Sequence, residues 1–184
     1  ALFSRPAFLR EGRKLAGNEY GTIMHNVMEH LDLQRTADYG EIKGQLASMV
    51  EREILLPEQR DVVYIKAVET FCHSTLGQRM KNACRIWREL PFSRMLPARR
   101  FYPSVEDEQE QIFSQGIIDV LFEEADGDLV LLDYKTDKNT DPVRIRERYH
   151  LQLELYSEAV EALLGRKIKE RYLYLLHDGT VVQV

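Results

Sequence analysis

One apolar hairpin pattern, running from Gln115 to Thr136, constrains this chain more than any other stretch of its sequence. Two runs of strand length flank a turn region that contains Asp126-Gly127, and Asp-Gly between apolar runs is a strong signal for a hairpin turn. Each run carries one carboxylate where a buried strand normally carries none, Asp119 in the first and Asp133 in the second. Because a buried and unpaired carboxylate is costly, we expect a cation as their partner.

The alternation of side chains along a strand sharpens this expectation. Asp133 and Lys135 share one face of the second strand, while Tyr134 points the other way. Asp119 lies directly opposite Asp133 only if the loop has an odd number of residues. A loop of residues 125–127, with its glycine in the left-handed region, satisfies that condition. Two carboxylates and an ammonium then converge, which predicts a divalent-metal site with a catalytic lysine.

Length and composition favour one globular domain over residues 1–184. The chain has 184 residues, 44% of them hydrophobic, which is enough for a proper core. No apolar run approaches the ~20 residues that span a membrane, and the N-terminal residues lack the pattern of a signal peptide. The two cysteines, Cys72 and Cys84, are too few for an iron–sulfur cluster and lack the spacing of a zinc site. We therefore expect free thiols in a reducing cytosol.

The charge of the chain gives a mild argument against nucleic-acid binding. Its formal net charge is −5, whereas nucleic-acid-binding domains usually carry a basic footprint. Acidic residues at a metal centre explain part of this deficit, because a bound cation neutralises them. Basic residues are clustered in two stretches, which are DNA-contact candidates although such runs are more often solvated faces: Arg94, Arg99 and Arg100, and Arg144, Arg146 and Arg148.

The order of elements predicts an α/β fold, as an α+β mixed sheet. After a lead-in segment, residues 1–20, comes a helical part, residues 21–82, with helices expected at 21–33, 39–53 and 58–81. A sheet core, residues 83–184, follows. It begins with strands at 83–92 and 97–103 and the central hairpin. A long helix then runs over about 142–164, with Asp141 as its cap, Pro142 in its first turn and Gly165 at its end. Strands at 169–176 and 181–184 complete the chain.

This order resembles the α-β-β-β-α-β core of the restriction-endonuclease-like fold, with extra N-terminal helices. Within the PD-(D/E)xK superfamily that shares this fold, the chain is similar to the RecB-type nucleases, most of all to the nuclease domain at the C-terminus of the large subunit of AddAB-type bacterial helicase–nucleases. Four motifs in the right order carry the resemblance: Gly21 and His25 with Glu29; Glu89-Leu90-Pro91-Phe92; the hairpin with Gly116, Asp119 and Asp133-Tyr134-Lys135; and Tyr149 with Gln152 and Tyr156.

The resemblance implies a metal site. Its ligands would hold Mg²⁺, with Mn²⁺ as an alternative, and they are His25, Asp119, Asp133 and the carbonyl oxygen of Tyr134. Hard oxygen ligands suit Mg²⁺, and one imidazole shifts the preference toward Mn²⁺.

The resemblance also assigns roles around that site. Lys135 would orient the attacking water and stabilise the charge that builds on the phosphate. Glu89 would be an accessory acid, and Gln152 and Tyr156 would support the site or touch DNA. Each of these residues also has a plainer alternative. Lys135 alone is typical of a surface lysine, Gln152 and Tyr156 fit a helix face meeting solvent, and the alternative for the two aspartates is that they cap a turn or pair with arginine.

The function implied is that of a metal-dependent DNA nuclease, which would process ends of DNA unwound by an attached helicase in double-strand-break repair. Its partners would be DNA, as single strand or duplex end, the helicase portion of the parent chain and a second nuclease subunit. It would work in the bacterial cytoplasm, on the nucleoid, without a membrane partner. No phosphate-binding loop motif occurs, so we expect no ATP site in this chain. Two alternatives stay open: a catalytically weak module that binds DNA or a partner subunit, and a metal-dependent phosphatase.

Overall fold

A computed structural model describes residues 17–138 and 141–184, in two compact units. The helical unit takes the described residues of Ala1–Asn82 together with Tyr134–Thr140 and Tyr174–Val181. The sheet unit takes Ala83–Asp133, Asp141–Leu173 and Val182–Val184. The expected lead-in over residues 1–16 lies outside the described residues, and the assignment of the whole chain to one domain stays a prediction.

Five helices form most of the helical unit: α1 (Gly17–His30), α2 (Tyr39–Glu51), α3 (Pro57–Val62), α4 (Ile65–His73) and α5 (Thr75–Lys81). A 3-10 turn, Leu33–Arg35, joins α1 to α2. The predicted apolar stripe of α1 is buried, and its members are Met24, Val27, Met28 and Leu31. The prediction of a lead-in up to residue 20 is wrong for residues 17–20, which already belong to α1.

The prediction of one long helix over residues 58–81 is wrong, because three short helices occupy that stretch. Val63 leaves helical geometry and ends α3. The Ser74 hydroxyl accepts a hydrogen bond from the backbone N–H of Gly77 at 3.0 Å and so starts α5. A Cβ atom on Gly77 would lie 2.0 Å from the carbonyl oxygen of Phe71. The break between α4 and α5 therefore depends on a side chain being absent at Gly77, which apolar spacing does not reveal.

Aromatic packing holds the Tyr134 side chain in the core of the helical unit. The Tyr134 ring meets the Phe71 ring edge to face, with centroids 5.2 Å apart, and Phe71 meets Tyr174 in the same way at 4.9 Å. The Tyr134 hydroxyl also donates to the sulfur of Met80 at 3.7 Å. Tyr134 is 2% exposed, so the residue between Asp133 and Lys135 is anchored in a core.

The sheet has the order β1-β2-β3-β4-β5, with β1 (Arg85–Pro97), β2 (Gln111–Glu123), β3 (Leu129–Lys135), β4 (Ile168–Leu175) and β5 (Val181–Gln183). Helix α6 (Pro142–Leu164) connects β3 to β4. The α/β fold class predicted from the sequence is confirmed. The separate strand expected over residues 97–103 is wrong, since β1 continues to Pro97 and a 3-10 turn, Ala98–Arg100, follows. Pro91 lies within β1, and β1 is the first strand in the sheet order, where a missing N–H is tolerated.

The central hairpin has the odd loop that strand parity requires. Glu123 pairs with Leu129, and the N–H of Glu124 donates to the carbonyl oxygen of Asp128 at 2.9 Å, which leaves residues 125–127 as the loop. Gly127 has a φ of +89°, in the left-handed region that glycine adopts without strain. The turn chemistry therefore sets the register of β2 against β3.

Both ends of α6 agree with the sequence. The Asp141 side chain accepts a hydrogen bond from the N–H of Val143 at 3.0 Å, and Pro142 occupies the first turn. Gly165 closes the helix with a φ of +65°. These caps fix where α6 begins and ends along the sheet unit.

Alanine substitution at Gly77 and Gly44 tests the packing of the helical unit. Gly77→Ala is expected to lower the free energy of unfolding by about 3 kcal/mol, because the new methyl collides with the Phe71 carbonyl. Gly44→Ala in α2 is the control: no atom lies within 4 Å of its Cβ position, so stability should rise by about 0.5–1 kcal/mol. Urea unfolding measures both. Equal effects at the two sites would contradict the close approach of α5 to the end of α4.

Candidate metal centre

The two hairpin aspartates, Asp119 and Asp133, lie next to the last paired residues of the β2–β3 ladder. The last pair between β2 and β3 is Val120 with Leu132, and Asp119 and Asp133 are the residues next to that pair on the two strands. Both aspartates are buried, with 8% and 2% of their surface exposed. Side chains alternate between the two faces along each strand, so the residues next to a pair both point to the face opposite to that pair. The register therefore directs both carboxylates to one side of the sheet.

Glu89 joins this group through an unusual backbone conformation. In β1, Arg88 pairs with Val120 and Leu90 with Ile118, so Glu89 is the residue opposite Asp119. Glu89 has a φ of +48°, which costs about 1–2 kcal/mol for a residue with a Cβ atom. Carboxylate oxygens of Glu89 and Asp119 lie within 4.8 Å of each other. Two acids this close repel when both are ionised, and a cation between them removes that repulsion.

The negative charges of all three acids affect the pKa of Tyr156 in α6. Burial, and then the negative charges of Asp133, Asp119 and Glu89, raise the pKa of the Tyr156 phenol to about 12, although a hydrogen bond from Gln152 acts in the opposite direction. The Gln152 side-chain amide donates to the Tyr156 hydroxyl at 2.7 Å. One phenol therefore lies within electrostatic range of three carboxylates from three strands. Gln152 and Tyr156 thus lie near the acids, and their role at the site stays a prediction.

Gly116 allows Tyr156 to approach the strands. A Cβ atom on Gly116 would lie 2.8 Å from the Phe92 ring and 3.5 Å from the Tyr156 ring. These two rings meet edge to face, with centroids 5.4 Å apart. The sequence contained the signal, since glycine inside an apolar strand often marks a close approach. The sequence predictions nevertheless gave Gly116 and Phe92 no role beyond their place in the motifs.

The other predicted site residues belong to the helical unit. The His25 ring on α1 lies edge to face with Tyr134, with centroids 6.3 Å apart. A Cβ atom on Gly21 would lie 3.1 Å from the Thr136 hydroxyl, so the first motif passes close to the chain just beyond β3. Lys135 is half-buried, and its carbonyl oxygen accepts a hydrogen bond from the N–H of Leu176 at 2.8 Å. His25 is thus placed beside the residue that follows Asp133 in the chain.

Comparison with known proteins identifies the family. The sequence model of the PD-(D/E)XK nuclease superfamily matches residues 2–183. This chain belongs to the PD-(D/E)XK nuclease superfamily. Two curated relatives, each named as the A subunit of an ATP-dependent helicase/nuclease, share 38% identity over 183 residues (Clostridium botulinum, strain Kyoto) and 43% over 186 residues (Thermoanaerobacter sp., strain X514). They cover 98% and 99% of this chain, which spans only 14% and 15% of their lengths.

These matches confirm the resemblance to the RecB-type and AddAB-type members of the PD-(D/E)XK superfamily. Two further observations bear on the sequence predictions. Cys72 is buried and Cys84 exposed, and the two cysteines do not form a disulfide. Across residues 17–138 and 141–184, no helix has the length and apolar character needed to cross a bilayer.

The pKa of Tyr156 provides a test of the acid cluster. Asp133→Asn removes the carboxylate whose charge acts most strongly on the Tyr156 phenol, but it leaves the burial of the phenol unchanged. The pKa of Tyr156 should therefore fall from about 12 part of the way toward the ordinary 10.0. Absorbance titration measures it, with Tyr156→Phe subtracted to isolate this tyrosine. Since the folded pKa is the higher one, the contribution of Tyr156 to stability is full below pH 10.0 and is lost as the pH rises from 10.0 to about 12.

The matched control is Glu147→Gln, which removes an exposed carboxylate from the same helix. Glu147 lies nine residues, or roughly 13 Å along the helix axis, from Tyr156. The control is expected to leave the pKa of Tyr156 unchanged. If Asp133→Asn also leaves it unchanged, the three acids do not converge on Tyr156.

Proposed function

We propose that this chain is a metal-dependent DNA nuclease that hydrolyses phosphodiester bonds. One observation carries the proposal. The buried acids Asp119 and Asp133 are the residues next to the last pair of the β2–β3 ladder. Glu89 adopts an unfavourable left-handed backbone conformation and brings a third carboxylate to within 4.8 Å of Asp119. Strain and buried charge at one place are the signature of a site kept for function. Membership in a nuclease superfamily supports phosphodiester hydrolysis as that function.

The residues present fit a divalent metal. Carboxylate oxygens from β1, β2 and β3 form a hard donor set, which Mg²⁺ and Mn²⁺ prefer. We assign Asp119, Asp133 and the carbonyl oxygen of Tyr134 as ligands, with His25 as the nitrogen ligand and Glu89 as an accessory acid. The position of His25 against the Tyr134 ring supports this assignment. When bound, the metal would acidify a water molecule and offset negative charge on the scissile phosphate.

The chain's own residues complete the chemistry. Lys135 lies two residues after Asp133 on β3, and we assign it to orient the attacking water and to stabilise charge on the phosphate oxygens. Tyr156 stays protonated at neutral pH because its pKa is about 12, so it remains a neutral hydrogen-bonding group beside the acids. Water oxygen bonds to phosphorus as the ester P–O bond breaks, which leaves one phosphate end and one hydroxyl end.

The curated relatives suggest the setting of this reaction. Both carry the name of an ATP-dependent helicase/nuclease, and this chain spans about one seventh of their length. We propose that it acts as an exonuclease or end-processing nuclease on DNA unwound by an attached helicase, during double-strand-break repair in the bacterial cytoplasm. The partners proposed with it are the helicase portion of the parent polypeptide and a second nuclease subunit.

Cleavage of 5′- and 3′-labelled single-stranded DNA with Mg²⁺ tests the proposal. Asp133→Ala is expected to abolish metal binding and cleavage together. Lys135→Ala should lower the single-turnover rate by ~100- to 1,000-fold, the loss typical of one electrostatic group that acts in the transition state. Its metal affinity, measured by calorimetry, should not fall, because removing a positive charge does not weaken cation binding.

Lys138→Ala is the control, since it removes an exposed lysine three residues further along the chain. It should cut at the rate of the unaltered protein. An aryl phosphate serves as the second substrate, and its hydrolysis in place of DNA would point to a phosphatase. DNA binding without cleavage would point to an inactive module. A Lys135→Ala variant that cuts at the normal rate would remove the lysine from the mechanism.

A further inference from the structure

We propose that Arg144 and Arg148 on the first half of α6 bind the backbone of a single-stranded DNA and lead it to the carboxylate cluster. We call Arg144, Arg148 and Gln152 the arginine strip. This inference rests on the proposed function, since it names the path by which the substrate of that site arrives.

The spacing of the strip follows the geometry of the helix. Its members are four residues apart, so each lies about 6 Å further along the axis and about 40° around from the one before. The next residue at this spacing is Tyr156, whose hydroxyl accepts from Gln152 at 2.7 Å. Tyr156 in turn lies within electrostatic range of Asp119, Asp133 and Glu89. The strip and Tyr156 therefore lie on one inclined row of the helix, which turns by about 120° between the exposed Arg144 and Tyr156 beside the acids.

The two arginines are placed to meet a ligand in solvent. The Arg144 side chain is 75% exposed, and its ion pair with Asp141, at 3.5 Å, is of the exposed kind that contributes little to stability. Arg148 is exposed, and its guanidinium lies 5.1 Å from the centre of the Tyr149 ring. Stacking on a ring holds the charge of Arg148 close to the helix surface, and a guanidinium in such a position suits phosphate oxygens as acceptors.

The other basic cluster of the sequence is already neutralised by acids of the sheet unit. Arg100 approaches Glu158 at 2.7 Å and Glu154 at 3.2 Å, and the hydrogen bond from Arg100 holds the pKa of Glu158 below its ordinary value. Two more pairs belong to the cluster, Arg94 with Glu158 at 3.7 Å and Arg99 with Glu108 at 2.7 Å. These arginines connect β1 and the 3-10 turn after it to α6 and to the loop before β2. They are poor candidates for binding phosphate.

The composition of the strip's surroundings favours a single strand of nucleic acid. Between Pro142 and Gln152 the helix carries three arginines against one glutamate, in a chain whose net charge is −5. Tyr149 is half-buried three residues before Gln152, so it borders the strip with an aromatic face. Basic side chains that follow a backbone, next to a ring on which a base can stack, are the usual means of binding single strands.

Fluorescence anisotropy with a labelled oligothymidylate, in EDTA so that nothing is cut, tests the strip. Binding is measured over a series of salt concentrations for the unaltered chain, Arg144→Gln, Arg148→Gln and the double variant. Removing one arginine–phosphate interaction should reduce the slope of log affinity against log salt by about 0.7, and the double variant should reduce it by about 1.4.

Arg146→Gln is the matched control. It removes the same charge from the same helical turn, but Arg146 lies about 160° around the helix from both Arg144 and Arg148. It should leave the slope unchanged. Circular dichroism establishes that all four variants keep the helical content of the unaltered chain.

The outcomes separate the strip from the nuclease. If Arg146→Gln lowers the slope as much as Arg148→Gln does, or if the unaltered chain does not bind the oligonucleotide, the strip is wrong even when DNA is cleaved. If binding depends on Arg144 and Arg148 while no DNA is cleaved with Mg²⁺, the proposed function is wrong and the strip stands.

Discussion

Electrostatic repulsion among buried carboxylates is the constraint on which the sheet unit depends. Asp119 and Asp133 lie at the end of a well-formed ladder and are almost entirely buried, and Glu89 adds a third acid. In a region of low dielectric, three neighbouring carboxylates are unfavourable unless a cation or a proton offsets their negative charge. The raised pKa of Tyr156 expresses the same field, because a further negative charge on the phenol is resisted. The convergence of three carboxylates on Tyr156 is the reason to regard the cluster as a cation site.

The surrounding structure is arranged to hold these acids in place. Gly116 lets Phe92 and Tyr156 pack where a methyl group would collide, and Gln152 fixes the Tyr156 hydroxyl. Tyr134, the residue of β3 that follows Asp133, packs edge to face against the Phe71 ring in the helical unit. Preorganised ligands of this kind bind a cation without a large rearrangement.

Local patterns foretold part of this arrangement, and long-range contacts account for the rest. The register of β2 against β3 followed from the two-residue period of strands and from Gly127 in the loop, and the ends of α6 followed from Asp141 and Gly165. The left-handed backbone of Glu89 left no trace in its sequence neighbourhood. The division of residues 58–81 into three helices depends on the approach of Gly77 to the Phe71 carbonyl. The neutralisation of Arg100 depends on Glu158, 58 residues away.

Anomalous scattering from crystals of the chain soaked in Mn²⁺ tests the central claim most directly. We expect a manganese peak at about 2.0–2.6 Å from carboxylate oxygens of both Asp119 and Asp133, and the disappearance of that peak in Asp133→Ala crystals. A peak confined to exposed acids such as Asp107 and Glu108, or one bound without either hairpin aspartate, would contradict the assignment of this cluster as the metal centre.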